Sequence, residues 1–284
     1  MGSVRTRRIA LDDVELAVAE AGEGGRPLLL LHGFTGAKED FTEWLDALAE
    51  LGWHAVAPDH RGHGESSKPS AVEAYSMSIL AEDSTALADA LGWTRYALLG
   101  HSMGGFVAQR MALEDPSRLT GLVLMDTGHG PVEGIDPDLA ARAANVALES
   151  GMDTLADLIA AMGSPLDTPA HQRVLAKRPG YAEFEERKFR STSPNLYAAI
   201  GRELVSCSDL LSELAAMDPQ PPSLVLIGEQ DTPFLGSAKR MADALSESTM
   251  AVVADAGHSP QFENPEGWWT ALSLFLASVD SPPT

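Results

Sequence analysis

The sequence predicts an α/β fold, in which a mostly parallel central sheet is flanked by helices and interrupted by an all-helical insertion. Short apolar runs of strand length alternate with segments of helical periodicity before residue 128 and again after residue 222. Such alternation is typical of parallel strands joined by helical crossovers. Between those two points only helical periodicity occurs. A chain of 284 residues can bury a full hydrophobic core without the support of disulfides.

The first part of the chain, 1–127, begins the alternation of strands and helices. Residues 27–31 form a continuous apolar run that ends at His32 and Gly33, as expected of a strand that is buried on both faces of a sheet. Large apolar side chains recur every three or four residues over 38–51, which indicates a helix. The predicted strands are 14–19, 27–31, 54–58, 96–99 and 122–125, and the predicted helices are 38–51, 78–91 and 103–114.

The insertion and the last part of the chain complete the predicted fold. An insertion that follows a strand lies at the carboxyl edge of the sheet, where open α/β sheets bind ligands, so residues 128–222 are expected to form a lid on a core of 1–127 and 223–284. Asn264 and Pro265 suit the N-cap and first position of the final helix. The lid helices are expected at 139–148, 154–162, 172–177, 182–189 and 196–205, followed by strand 224–227, helix 238–245, strand 250–253 and helix 266–277.

The motif Gly100-His101-Ser102-Met103-Gly104 carries the clearest chemical signal. It lies between a predicted strand and a predicted helix, the context in which G-x-S-x-G forms a nucleophile elbow. The glycines allow a sharp turn that leaves the serine hydroxyl exposed, and the helix N-terminus favours developing negative charge. The sequence therefore predicts Ser102 as a nucleophile rather than an ordinary N-cap serine.

A serine hydroxyl needs a base that a third group orients, and two later loops supply candidates. His258 and Asp231 each follow a predicted strand directly, at the edge of the sheet where Ser102 is expected. Asp126, which follows the preceding strand, is an alternative acid, whereas Asp255 is too close to His258 in sequence to be favoured. The prediction is a relay of Ser102, His258 and Asp231.

The loop at 32–36 follows an early strand and is expected to supply part of an oxyanion hole. The predicted donors are the backbone N–H groups of Phe34 and of Met103, the residue after the nucleophile. Thr127 and Phe234 lie near the same strand ends and are expected to line the substrate pocket.

These motifs together resemble the α/β-hydrolase family, in particular its capped, serine-nucleophile members such as carboxylesterases and lactonases. The resemblance covers the loops at 32–36 and 59–66, the elbow at 100–105, Asp231 and His258. It implies a Ser/Asp/His triad and a lid after the strand that ends at Met125. Family members that dehalogenate or open epoxides carry aspartate at the nucleophile position, so Ser102 argues against both activities.

The sequence thus predicts a serine hydrolase that cleaves an ester, lactone or thioester bond of a small molecule through an acyl-enzyme. Carbon–carbon bond hydrolysis, cofactor-free perhydrolysis or haloperoxidation, and lyase chemistry with the same triad stay open as alternatives. A third alternative is a protein that binds a small ligand without turnover. No metal ion or organic cofactor is expected, and the sequence does not distinguish a monomer from a dimer.

Several other histidines and acids are expected to be structural. Asp59, His60 and His63 lie in a Gly-rich loop, where turn and hydrogen-bonding roles are favoured over metal binding. His32 and His101 flank the expected oxyanion hole and are predicted to be buried, hydrogen-bonded supports.

The charge balance excludes nucleic acids as the main partner. The chain has 20 basic and 41 acidic residues, a formal net charge of −21, which repels phosphate backbones and anionic membrane surfaces.

A single cysteine, Cys207, permits no internal disulfide and suits a reducing compartment. The basic N-terminus is followed by no apolar signal region, and no apolar stretch is long enough to cross a bilayer. We therefore expect a cytoplasmic protein that does not bind membranes.

The predicted lid holds 8 of the 20 basic residues. They could attract an acidic substrate, or they could form solvated helix faces that pair with Glu183, Glu185 and Glu186. The second interpretation is favoured because surface ion pairs at helical spacing are common.

Overall fold

Eight strands form one sheet in the computed structural model, which describes residues 4–163 and 166–279. The outermost parts of the predicted core, 1–3 and 280–284, and residues 164–165 of the predicted lid lie outside the described residues. The strand order is β1-β2-β4-β3-β5-β6-β7-β8. The strands are β1 (Arg5–Ala10), β2 (Glu15–Ala21), β3 (Arg26–Leu31), β4 (Trp53–Pro58), β5 (Tyr96–His101), β6 (Leu119–Met125), β7 (Ser223–Gly228) and β8 (Ser248–Val253).

The sheet is mostly parallel, which confirms the predicted fold class. All pairings among β3 to β8 are parallel, whereas β2 runs antiparallel to both β1 and β4. The carboxyl ends of the parallel strands therefore meet at one edge of the sheet, and the loops that follow them lie close together.

Helices cover both faces of the sheet. One apolar cluster joins the sheet to α3, α4 and α10, and a second joins it to α1, α2 and α12. Their side chains are almost fully excluded from water, so burial of apolar surface is the main stabilising contribution. The helices are α1 (Glu39–Thr42), α2 (Leu45–Glu50), α3 (Met77–Ala90), α4 (Met103–Glu114), α5 (Pro137–Met162), α6 (Pro169–Lys177), α7 (Tyr181–Ser191), α8 (Pro194–Leu204), α9 (Leu211–Ala215), α10 (Thr232–Ala244), α11 (Pro260–Glu263) and α12 (Pro265–Ser278).

Five helices, α5–α9, lie between β6 and β7, and we call them the helical insertion. The segment α5 consists of the two helices predicted at 139–148 and 154–162, which meet at a kink at Gly151. Gly151 has a φ of 83°, which a glycine adopts at little cost and which breaks the helical path. Helix α9, five residues long, was missed because one short turn carries too few residues to show periodicity.

The described helices include none that combines the length and the hydropathy needed to cross a membrane. At the end of the chain, the side chain of Asn264 accepts a hydrogen bond from the N–H of Gly267, and Pro265 is the first residue of α12. The predicted cap of the final helix is therefore confirmed.

Candidate active site

Ser102 occupies a strained turn between β5 and α4. Its φ of 52° and ψ of −119° lie outside the regions that non-glycine residues favour. Hydrogen bonds on both sides hold this conformation: the N–H of Ser102 donates to the carbonyl oxygen of Met125 at 2.9 Å, and its own carbonyl oxygen accepts from the Thr127 hydroxyl at 2.8 Å. The turn therefore fixes the direction in which the Ser102 side chain leaves the backbone.

Two glycines make this turn possible by letting backbone segments touch. A Cβ on Gly100 would lie 2.2 Å from the carbonyl oxygen of Gly104, and a Cβ on Gly104 would lie 2.3 Å from that of Leu31. Both distances are far below van der Waals contact with backbone atoms, which cannot move aside. Only glycine fits at either position, as the elbow motif predicts.

The three side chains that the sequence singled out form a continuous hydrogen-bonded chain. Nε2 of His258 lies 2.9 Å from Oγ of Ser102, and Nδ1 of His258 lies 2.9 Å from Oδ2 of Asp231. The Asp231 side chain is completely buried, and that of His258 is 13% exposed. Phe234 stacks on the His258 ring with 5.1 Å between ring centroids, so the aromatic ring covers one face of the imidazole. The structure thus brings together residues that are up to 156 positions apart.

The two alternative acids lie in different surroundings. Asp255 is exposed; its backbone N–H donates to Glu229 and its carbonyl oxygen accepts from Arg173. Asp126 is fully buried behind Asp231, and its Oδ1 accepts a hydrogen bond from the N–H of Gly228 at 2.8 Å. Of the three acids, Asp231 makes the hydrogen bond to His258.

Asp126, Asp231 and His258 form a tight group of potential metal ligands. One ligand atom from each lies within 4.8 Å of the other two, and within the described ranges no other such group of three His, Cys, Asp or Glu residues occurs. Burial, followed by the neighbouring Asp231, raises the pKa of the Asp126 carboxyl well above its usual range.

The loop at 32–36 packs directly against the elbow. A Cβ on Gly33 would lie 3.1 Å from Cβ of Ser102. The loop is a tight turn in which the N–H of Gly36 donates to the carbonyl oxygen of Gly33, with Thr35 at a φ of 58°. Phe34 follows Gly33 in this turn. Met103 is the first residue of α4, so its N–H has no acceptor within the helix.

Buried histidines support both of these loops. Nδ1 of His32 donates to the carbonyl oxygen of Gly33 at 2.8 Å, because Nε2 of the same ring accepts from the N–H of His60. Nε2 of His101 lies 2.7 Å from the carbonyl oxygen of His258. Burial, together with the neighbouring His258, lowers the pKa of His101 to about 3, so the ring is neutral and donates this hydrogen bond.

Glu263 is a supporting residue that sequence reasoning missed. Its buried carboxylate accepts a hydrogen bond from the N–H of Gly257, the residue before His258. Burial raises the pKa of the Glu263 carboxyl above its usual value, although hydrogen bonds from the backbone of Gly257 and Ser259 partly oppose this shift. No sequence pattern marked this glutamate, because its role depends on the loop folding back over five residues.

The helical insertion contacts residues around the site. The N–H of Ala170 donates to the side-chain oxygen of Gln230, the residue before Asp231, and the ring of Phe34 lies 4.8 Å from that of Tyr197. Ser102 is only 9% exposed. A cavity of about 810 Å³ lies elsewhere, beside Arg61, and none of the predicted site residues lines it.

Thr127, which is predicted to line the substrate pocket, packs beneath the elbow. It is 1% exposed, and its side chain fills the space directly against Gly105 at the start of α4 while its hydroxyl holds the Ser102 carbonyl. A residue immediately after β6 therefore supports the elbow from beneath. Phe234, the other predicted pocket residue, covers His258.

The basic residues of the insertion are not a uniform solvated face. Arg190 is partly exposed and pairs with Glu186, as predicted, and also with two aspartates of α5. Lys188, by contrast, is 12% exposed and pairs with Asp40 of α1. Arg178 pairs with Glu43, directly after α1. The favoured interpretation was wrong for Lys188, because it joins the insertion to the core.

Comparison with known proteins gives a consistent result for the fold. A family model for the alpha/beta hydrolase fold matches residues 26–265. Epoxide hydrolase A of Mycobacterium tuberculosis (strain ATCC 25618 / H37Rv) is 28% identical over 326 aligned residues, which cover 99% of each chain. A thermophilic esterase from Thermogutta terrifontis is 28% identical, with a TM-score of 0.80 over 98% of this chain and 100% of its own. The enol-lactonase from Burkholderia xenovorans LB400 has a TM-score of 0.82 over 95% and 100% of the two chains, and at 24% identity this likeness concerns the fold alone.

Proposed function

The chain belongs to the alpha/beta hydrolase fold family, and on this premise we propose that it is a serine hydrolase that cleaves an ester, lactone or thioester bond of a small molecule. The observation that carries the proposal is the hydrogen-bonded chain from Ser102 through His258 to Asp231. A buried carboxylate, an imidazole and a hydroxyl in this order are the parts that nucleophilic acyl transfer requires.

The first step forms an acyl-enzyme. His258 takes the proton of the Ser102 hydroxyl through Nε2 while Oγ attacks the substrate carbonyl carbon. Asp231 accepts a hydrogen bond from Nδ1 of His258, which holds the ring in the required tautomer and stabilises the imidazolium that forms. His258 then gives its proton to the leaving group.

The second step returns the enzyme to its starting state. His258 takes a proton from a water molecule, whose oxygen attacks the acyl carbon, and then returns a proton to Oγ of Ser102 as the acid leaves. In both steps, the N–H groups of Phe34 and Met103 stabilise the negative charge on the carbonyl oxygen. Each such donor contributes roughly 10²- to 10³-fold to the rate.

The identity of the nucleophile favours acyl substrates over epoxides, although several relatives are epoxide hydrolases. Attack of Ser102 on an epoxide carbon would form an ether, which an activated water molecule does not cleave. Attack on an acyl carbon forms an ester, which the same water hydrolyses. The likeness to an esterase at 28% identity supports the acyl class.

We also propose that the helical insertion, α5–α9, acts as a lid. Ser102 is nearly inaccessible beneath it, so the insertion has to move before a substrate reaches the hydroxyl. Closure over a bound substrate would then exclude bulk water and strengthen the electrostatic interactions in the site.

Substrate turnover tests the proposal. Short-chain p-nitrophenyl esters, lactones, thioesters and a 1,5-diketone would be compared as substrates of the parent protein and of Ser102→Ala. We expect turnover of an acyl substrate, reduced by roughly 10⁴- to 10⁶-fold in the variant. Ser117→Ala, at an exposed serine outside the site, is the matched control and should retain parental activity. Undiminished turnover in Ser102→Ala would contradict the proposal, and turnover of the diketone alone would replace it with carbon–carbon bond hydrolysis.

A further inference from the structure

Two buried carboxyl groups lie side by side behind His258, and each has one oxygen without a hydrogen-bond donor. Asp126 uses Oδ1 to accept from the N–H of Gly228, and Asp231 uses Oδ2 to bind His258. Within the described part of the chain, no donor is found for Oδ2 of Asp126 or for Oδ1 of Asp231, although both atoms are inaccessible to water. An oxygen of Asp126 lies within 4.8 Å of an oxygen of Asp231, and the two carboxyl groups are close enough for a side-chain hydrogen bond when one of them carries a proton.

One proton accounts for both of these oxygens. Two ionised carboxylates at such a distance, away from water, repel each other strongly, so a pair of this kind holds a proton. If one carboxyl is protonated, its O–H group becomes the missing donor and the oxygen of its neighbour becomes the acceptor. Both buried oxygens are then satisfied by a single hydrogen bond, which is a strong one because its acceptor is charged.

The surroundings assign the proton to Asp126. Asp231 already accepts a hydrogen bond from the N–H of His258. Asp126 receives one backbone N–H, and its charged neighbours Asp231 and Glu263 are both acidic. Burial, followed by these acidic neighbours, raises the pKa of Asp126 well above its usual range.

We propose that Asp126 is a positioning residue of the relay: it remains protonated and donates its carboxyl proton in a hydrogen bond to the free oxygen of Asp231. This inference rests on the proposed function, in which Asp231 orients His258. Asp126 is itself rigidly held, since its N–H donates to the carbonyl oxygen of Leu226 and its φ is 46°. It therefore fixes the plane of the Asp231 carboxylate, so that the other oxygen faces His258.

Two substitutions at this position separate the hydrogen bond from the charge. Asp126→Asn keeps a donor in its amide N–H₂ and an acceptor in its carbonyl oxygen, and asparagine tolerates a positive φ. The glycine of Asp126→Gly also adopts a positive φ easily, but it has no side chain to donate a hydrogen bond. We expect Asp126→Asn to retain kcat within about 3-fold, and Asp126→Gly to lower kcat by about 10- to 100-fold with little change in KM. Circular dichroism and thermal unfolding would show that both variants fold.

The pH dependence of kcat/KM tests the protonation state. If Asp126 is neutral, Asp126→Asn replaces one neutral group by another and leaves the acid limb of the profile in place. If Asp126 is ionised, the substitution removes a negative charge near His258, disfavours the imidazolium and moves the acid limb to lower pH. That shift would overturn the inference, as would equal kcat values for Asp126→Asn and Asp126→Gly. A change in the parent profile on treatment with EDTA would also overturn it, because a cation and not a proton would then join the carboxyls.

An infrared measurement tests the inference without any turnover. The difference spectrum between the parent and Asp126→Asn near pH 7 should contain the C=O band of a protonated carboxyl group in the parent. If that band is present but no acyl substrate is turned over, the proposed function fails while the protonated Asp126 stands. If the band is absent, Asp126 is ionised and the inference fails whatever the activity.

Discussion

Backbone strain marks the functional edge of the sheet residue by residue. Among the described residues, the non-glycine residues with positive φ are Thr35, Ser102, Asp126 and Asp255. Each follows a parallel strand by a few residues, at the edge where the proposed site lies. A backbone conformation of this kind costs about 1–3 kcal/mol and persists only where surrounding contacts enforce it. At Ser102 and Asp126, the contacts that enforce it also position the side chains for the proposed chemistry.

The role of Asp231 gives a prediction at this scale. Asp231→Asn should lower kcat by about 10⁴-fold, because an amide preserves the packing but does not hold the correct tautomer of His258. Asp255→Asn is the matched control: it lies three residues before His258, is exposed, and should leave kcat unchanged. Steady-state kinetics on the best acyl substrate would measure both. An active Asp231→Asn would require Asp126 to serve as the orienting acid instead.

The residues with a distinctive local pattern were predictable, and those defined only by tertiary contacts were not. Ser102, His258 and Asp231 each follow a strand within a recognisable loop sequence, and the structure brings them into hydrogen-bonding distance. Glu263 had no such pattern, since its contact with Gly257 depends on how the loop returns. Thr127 was expected at the correct edge, but the direction of its side chain is set by the packing of α4 on the elbow.

At the scale of elements, α6 and α7 are two of the helices that join the helical insertion to the core. Helix α6 contacts the loops that carry Asp231 and His258, since Ala170 binds Gln230 and Arg173 binds the Asp255 carbonyl. Helix α7 contacts the short helix α1 through Lys188 and Asp40. Movement of the insertion as a lid would therefore break ion pairs and also loosen the loops of the relay.

Substitution of Lys188 tests the ion pair between α7 and α1. Lys188→Met should lower the free energy of unfolding by roughly 3 kcal/mol, because it leaves the buried carboxylate of Asp40 without its cation. Adding Asp40→Asn should recover part of that loss. Urea unfolding would measure the stability, and hydrogen exchange should show faster exchange in α7.

Lys239→Met is the control for Lys188→Met. It removes an ion pair with Asp243 in which both side chains are about two-thirds exposed, and such pairs contribute little. An equal effect of the two substitutions would mean that Lys188 does not secure the insertion.

Some long periodic elements were predicted well, but the helix predicted at 38–51 is divided into α1 and α2, and short or charged elements were missed. Helix 103–114 has the predicted bounds, but β1 was missed because its sequence, Arg-Thr-Arg-Arg-Ile-Ala, is charged and exposed. Such charges are tolerated at a sheet edge, where they discourage pairing with other chains. Arg5 and Arg7 instead pair with the buried Glu20. The predicted start of α10 was too late. Proline usually interrupts a helix, but Pro233 lies in the first turn of α10, where proline is favourable.

At the scale of the whole molecule, a group of neutral histidines couples stability to pH. His32, His60, His63 and His101 are all buried at the carboxyl edge of the sheet. Burial lowers the pKa of His60 and of His101 to about 3. It also lowers the pKa values of His32 and His63 well below their usual value. The unfolded chain takes up protons at these positions below about pH 6.5, whereas the native protein does not. Stability therefore falls as pH decreases from that point.

His60→Leu tests this coupling. Between about pH 4.5 and 5.5, each neutral buried histidine makes the free energy of unfolding rise with pH by about 1.4 kcal/mol per pH unit. The slope of the variant should be smaller than the parental slope by that amount. Urea unfolding at several pH values gives both slopes, and carboxyl groups with shifted pKa values, such as Asp126, affect the two proteins equally. Identical slopes would show that His60 is not held neutral in the native state.

The most direct test of the central claim is covalent labelling with a fluorophosphonate probe, followed by mass spectrometry of the peptides. Such a probe reacts with a serine that a neighbouring base activates. The oxyanion donors stabilise the negative charge that develops on the phosphoryl oxygen of the probe. We expect one adduct, on Ser102, that is lost in Ser102→Ala, forms much more slowly in Asp231→Asn and is retained in Asp255→Asn. An unlabelled parent protein, or an adduct on another serine, would contradict the claim that Ser102, His258 and Asp231 form a working acyl-transfer site.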